Sequence, residues 1–197
     1  MPKVLGDTEL DIIFRDARSQ NMWQDEEVSQ EKLHALYDLT KWGPTSANCF
    51  PMRLKFVVSK AEKARLATMV LEDNAPKITT AGAVAIIGYD TLFYDKIPQL
   101  FPHNPEAREW FAHDEALAQT TAFRNGTLQG AYLMIAARAL GLDCGPMSGF
   151  DNAAVDAAYF PGGQVKSNFL CSLGTGDPNG LFGRSPKPAF DEICEIL

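Results

Sequence analysis

Four short groups of residues carry side-chain donors and cations where a ligand could use them. Arg18, Ser19, Gln20 and Asn21 close the first helical pattern. Thr45, Ser46 and Asn48 sit in the stretch WGPTSANCFP (42–51), Asn74 and Lys77 are three residues apart, and Arg184 and Lys187 stand near the C-terminus. Each group alone has a plain reading as a helix end, a turn or a solvated tail charge. Together they would supply phosphate ligands and hydrogen-bond donors to a phosphorylated, aromatic cofactor.

Other chemistries lack their residues. The three histidines, His34, His103 and His113, form no HExxH and have no cysteine at ligand spacing, so no catalytic metal is expected. His34 falls among helical residues, whereas His103 and His113 flank an aromatic segment and are candidates to face a pocket. There is no GxSxG elbow and no Walker A loop. Gly174-Thr175-Gly176 is the only GxG, and Asn179 stands where a dinucleotide fingerprint needs its third glycine, so a turn after a strand is the better reading. Cys49, Cys144, Cys171 and Cys194 contain no CxxC pair and read as reduced buried thiols. A net charge of -7 disfavours nucleic acid and anionic membrane surfaces and leaves small molecules as partners. No segment approaches 18 uninterrupted apolar residues and the start MPKVLGDTELDIIF has no apolar leader core, so a cytoplasmic chain is expected.

Positioning these groups requires a packed framework, and 197 residues suffice for one domain over 1–197. Leu10, Ile13, Phe14 and Ala17 recur at helical steps after a capping Asp7, to about Arg18; Ser29 caps a second helix through Leu33, Leu36, Tyr37 and Thr40. Gly43 and Pro44 break it. Residues 53–58 suit a strand, Ser59 and Glu62 have capping-box spacing for a helix to about Leu71, 73–80 read as polar connection, and AVAIIGY (83–89) suits a buried strand. Residues 91–113 mix Phe93, Tyr94, Phe101, Trp110 and Phe111 with three prolines, an aromatic excursion over the active site or an interface. The longest helical pattern, 114–140, ends at Gly141 and is apolar nearly all round in LQGAYLMIAARAL. Residues 146–149 read as a loop, Asp151 as the cap of a short helix, and 167–173 as the last strand. An α+β chain that dimerises through the apolar helix follows.

The order of Arg18-Ser19, the run PTSAN (44–48) followed by Pro51, Asn74 with Lys77, and GTLQGAYLMIAARALGLDCGPMSGFD (126–151) resembles the FMN-dependent nitroreductase family. Within it, the wording of KWGPTSANC, of the long segment from Phe123 and of the tail from Ser167 to Pro188 is most similar to the malonic semialdehyde reductase branch of pyrimidine degradation.

The resemblance implies an intertwined homodimer around a central antiparallel sheet flanked by helices, with FMN sites built from both chains. It implies that Arg18, Ser19, Asn21 and Arg184 hold the phosphate and ribityl end, and that Thr45, Ser46 and Asn48 reach the cofactor from the partner subunit. Asn74 and Lys77 would meet the pyrimidine edge of the flavin, Lys77 stabilising its reduced form, while Pro146, Met147, Ser148 and Gly149 would lie against the ring. NAD(P)H would be a transient co-substrate in ping-pong hydride transfer, with malonic semialdehyde reduced to 3-hydroxypropionate; nitroaromatic or quinone reduction is the alternative. No side-chain acid is assigned. Asn21 and Ala17 stand where many relatives are basic, which puts more weight on Arg18 and Arg184, and Phe50 replaces a usual glutamine on the substrate side.

Overall fold

The computed structural model describes residues 3–197. Met1 and Pro2, where the segment read for a leader begins, lie outside the described residues. After an opening helical turn, the main helices are α1 (Gln30–Thr40), α2 (Lys60–Ala67), α3 (Ala75–Thr79), α4 (Glu115–Ala139) and α5 (Asn152–Tyr159), and the strands are β1 (Met52–Val57), β2 (Ala83–Asp90), β3 (Asp143–Met147) and β4 (Val165–Gly174). The strands form one antiparallel sheet in the order β1-β2-β4-β3. This is the expected α+β arrangement. Among the described residues no helix is long and apolar enough to cross a membrane.

Side-chain caps start the helices where the sequence indicates. Ser29, Ser59 and Asp151 accept from the N–H groups of Lys32, Glu62 and Ala154, and Asp114 accepts from Leu117 to open α4. Gly141, at φ +73°, closes α4 in the left-handed region.

Several boundaries differ from expectation. Asp7 caps nothing: Gly6 precedes the helix, which runs Asp7–Leu10 and then widens into a π turn, Asp11–Arg15. Asp7 and Asp11 instead bind Arg15, and the chain leaves the helix before Arg18. The half-box at Ser59 is not reciprocated, because the Glu62 carboxylate turns to Arg65 and Tyr159. Residues 72–79 are helical, with Pro76 in the first turn of α3, where its missing N–H costs nothing. β3 was unread: Pro146 and Met147, expected in a loop, finish this edge strand, whose glycine and proline depress any strand signal.

β2 explains why its sequence is apolar without alternation. Ala83, Ala85 and Ile87 face α1 and α4 in one core, with Leu33, Leu36, Leu133, Ala136 and Ala137. Val84 and Ile86 face α2, α3 and α5 in a second core, with Leu66, Ile78, Val155 and Leu170. Residues 91–113 build a third core: Phe93, Ile97, Ala107 and Phe111 pack with Cys49 and with Ala118 and Ala122 of α4. The excursion is thus a packed cap over the start of α4.

Gly145 lets the chain before α1 lie on β3. Gln20 N–H donates to Cys144 O at 2.9 Å, and a Cβ on Gly145 would stand 2.7 Å from Gln20 O and 2.9 Å from the Trp23 ring. Gly145→Val is expected to cost about 3 kcal/mol through overpacking, lowering Tm by about 6–12 °C, read by thermal denaturation.

Candidate functional site

Arg18 and Asn21 meet the tail. Phe14, Ala17, Arg18, Ser19 and Asn21 line a cavity of about 400 Å³ together with Phe182, Gly183, Arg184, Ser185, Lys187 and Arg138 of α4. Four cations line it and no carboxylate does. Arg18 Nη2 donates to Phe182 O at 2.5 Å, Asn21 Nδ2 to Gly180 O at 3.3 Å and Arg184 Nη2 to Ala17 O at 3.5 Å. The first and last of the four sequence groups are therefore brought together, with Ser19 exposed at the rim.

One helical turn along α4 the surface changes character. Met134, four residues before Arg138 and on the same face, joins Thr127, Ala131, Phe169, Pro146, Met147 and Ser148 around an apolar shelf of about 290 Å³. From Thr127 to Arg138 the helix rises about 16 Å. Pro146 and Ser148 face outward, while the Met147 side chain is buried in the second core, so Met147 offers the shelf mainly backbone.

Asn74 and Lys77 are carried to this turn by α3. Asn74 Nδ2 donates to Gly149 O at 3.0 Å, and a Cβ on Gly149 would meet Leu71 at 2.7 Å and Asn74 Nδ2 at 2.8 Å, so glycine is what admits the asparagine. Leu71 N–H also donates to Gly149 O. Ser172 Oγ donates to Lys77 O at 2.9 Å, pinning the lysine backbone to β4. Lys77 is half-buried and takes part in none of the ion pairs among the described residues.

The opening loop lies elsewhere. Ser46 N–H donates to Asn125 Oδ1 at 2.9 Å, and Asn125 and Thr127 point about 200° apart around α4. Within one chain, Thr45, Ser46 and Asn48 are thus on the far side of the helix from the shelf. The loop is held under strain: Ala47, Asn48 and Phe50 have φ of +49°, +46° and +43°, each costing on the order of 1 kcal/mol outside glycine. Thr45 Oγ1 accepts from Phe50 N–H, and Asn48 Nδ2 donates to Leu100 O. Cys49 is fully buried beneath, its thiol pushed up to about 11 chiefly by burial, which keeps it protonated and unreactive. Cys144 and Cys171 are buried as expected, but Cys194, in the tail beyond the last strand, is exposed.

Four positioning side chains went unread. Arg53 donates to the carbonyls of Phe50, Pro51 and Met52 and pairs with buried Asp90 at 2.6 Å, clamping the end of the strained loop. Gln129, fully buried, accepts from Met52 N–H at 2.9 Å. Asn125 and Gln129 sit four apart among apolar residues, a visible signal of buried polar work. Arg138 reads in sequence as a cation suited to a helix C-terminus. The histidines stay outside: His113 pairs with Glu109 in solvent, His103 stacks on Phe101, and His34 lines a separate groove beside β1. Among the described residues no cluster suits a metal.

The sheet order and flanking helices define the nitroreductase-like α+β fold. The structure matches that of a protein provisionally named a nitroreductase, from Exiguobacterium sibiricum 255-15 in complex with FMN, with TM-score 0.86 and 19% identity over all of both chains. It also matches a protein provisionally named an NAD(P)H:FMN oxidoreductase, from Staphylococcus epidermidis ATCC 12228, with TM-score 0.85 and 18% identity over all of both chains. At such identity these bear on the fold alone. The model of the nitroreductase family matches residues 15–164. A Ralstonia pickettii protein with the provisional name NADH dehydrogenase/NAD(P)H nitroreductase HadB is 57% identical over 189 residues, covering 95% of this chain and 96% of its own length. The chain belongs to the nitroreductase family.

Asn125→Ala removes the acceptor for Ser46 N–H. A loss of about 1.4 kcal/mol is expected, seen as about tenfold faster hydrogen exchange at the Ser46 amide; unchanged exchange would show that Asn125 does not hold the loop.

Proposed function

We propose that the protein is an FMN-dependent NAD(P)H oxidoreductase. The observation that carries this is the cationic cavity with an apolar shelf one helical turn away, a charge pattern that suits a phosphate joined to an aromatic ring. Arg18, Asn21 and Arg184 hold the phosphate end; Pro146, Met147, Ser148 and Gly149 support the ring. Asn74, fixed by Gly149 O, and Lys77 meet its polar edge. FMN held by these residues would supply hydride transfer between NAD(P)H and a second substrate. Lys77 sets a fixed positive charge where negative charge develops, and a half-buried site strengthens that interaction.

The functional unit in this reading is a homodimer. Phe123, Leu128 and Tyr132 of α4 are 51%, 46% and 38% exposed in the single chain, as are tail residues such as Phe190, Ile193 and Ile196 to a greater degree. Covering α4 with a second copy would bring the partner's opening loop, with Thr45, Ser46 and Asn48, to the side of the helix its own chain does not reach.

Nitroaromatic reduction is the acceptor class favoured by the name of the 57% identical Ralstonia protein, and quinones are grouped with it as the related acceptors. Reduction of malonic semialdehyde to 3-hydroxypropionate is the second reading, supported by the wording of the long segment at 123–152. The purified protein is expected to be yellow and to bleach anaerobically with NAD(P)H. Faster reoxidation by a nitroarene or quinone than by malonic semialdehyde selects the first class, and the reverse selects the second. A colourless protein that FMN does not reconstitute overturns both.

Lys77→Ala is expected to retain FMN while its reduction by NAD(P)H slows about 100-fold, followed by stopped-flow loss of the flavin band. Unchanged kinetics would remove Lys77 from this role.

A further inference from the structure

Seven of the eight arginines, all but Arg124, divide by partner. Arg15, Arg53, Arg65 and Arg108 are each paired with a carboxylate. Arg18, Arg138 and Arg184, the three that line the cationic cavity, each bond a backbone carbonyl and no acid. Arg138 is the unassigned member. Its Nη1 donates to Ile13 O at 3.1 Å, and its Nε is sealed from solvent with no acceptor among the described residues. A guanidinium has five N–H donors, and a buried donor left unpaired costs about 1–3 kcal/mol. The other terminal nitrogen is not sealed in this way and Arg138 lines the cavity, so an acceptor arriving from outside meets the guanidinium there.

The position adds a second reason. Arg138 lies in the last turn of α4, where the helix dipole presents its negative end, the reverse of the usual anion site at a helix start. The carbonyls of Ala136, Ala137 and Arg138 are already taken by the N–H groups of Leu140, Leu142 and Gly141, which mutes that negative end, and the guanidinium reverses it.

We propose that Arg138 is a phosphate-binding residue, the contribution of α4 to a clamp otherwise made by Arg18 and the tail. The proposal rests on the reading of this cavity as the phosphate end of the FMN site. Ile13 O fixes one arm of the fork, leaving the others to a phosphate that carries -1.5 to -2 charge near neutrality. Neither Ser19 nor Asn21 brings a cation, so the helix supplies the one that the first segment lacks.

The test uses apoprotein titrated with FMN and with riboflavin, the same ring without the phosphate, followed by flavin fluorescence. Arg138→Met is expected to weaken FMN about 50-fold and riboflavin less than about twofold, with Arg138→Lys between, because a point charge replaces a fork. Equal losses for both ligands, or an FMN-to-riboflavin ratio as in the wild type, would overturn the proposal while leaving the cofactor reading intact. A wild type that binds both ligands equally would instead overturn the reading of the cavity. Should Arg138→Met not fold, the Arg138 Nε–H resonance of the wild-type apoprotein supplies the answer. It is expected to shift on addition of FMN and of inorganic phosphate but not riboflavin, and a resonance that FMN leaves in place overturns the assignment.

Discussion

The close approach of one long helix to the sheet is the constraint on which the remaining structure depends. A Cβ at Gly126 would stand 3.0 Å from the Tyr89 Cβ, and one at Gly130 would run into the Phe169 ring. Ala83 and Ala85 of β2 keep the opposing surface low, in the same core as Ala136 and Ala137. At this spacing short side chains reach across: Gln129 satisfies the N–H of Met52 and Asn125 that of Ser46. Buried amides in the helix thus hold the first strand and the loop that precedes it, which a wider gap would leave unpaired.

The same helix separates the groups it organises. Its inner side holds the opening loop, its outer side carries the apolar shelf, and its C-terminal turn ends in the cationic cavity. The other elements close this arrangement from their own directions. Gly145 allows the Arg18 segment to lie on β3, and Gly149 allows Asn74 to reach the turn that follows it. Two glycines four residues apart, one on the edge strand and one in the turn after it, therefore seat two of the four donor groups, by leaving room rather than by making contacts.

What was legible in the sequence divides along physical lines. Helices with strong periodicity and a capping side chain, such as α1 and α5, begin where read, and β2 stands out because both its faces are covered. The strand at 143–147 was invisible, since glycine and proline carry no strand preference and its pairing partner lies some 25 residues away. Asp7 does not cap the first helix because it pairs with Arg15 instead, a competition that spacing does not reveal. Of the site, the donor groups were recognisable as types; their gathering depended on long-range contacts, and Arg138 was hidden because a cation at a helix end already has a sufficient local reason.

The three left-handed residues of the opening loop restrict which substitutions the chain can absorb. Positions 47, 48 and 50 are open to glycine and asparagine, which enter that backbone region cheaply. They are closed to valine, isoleucine and threonine, whose branched Cβ makes it costly. Cys49 between them is closed by volume rather than by backbone, being fully enclosed by the third core. A randomised library selected for folding across this loop would therefore return a narrow alphabet at four adjoining positions for two unrelated reasons.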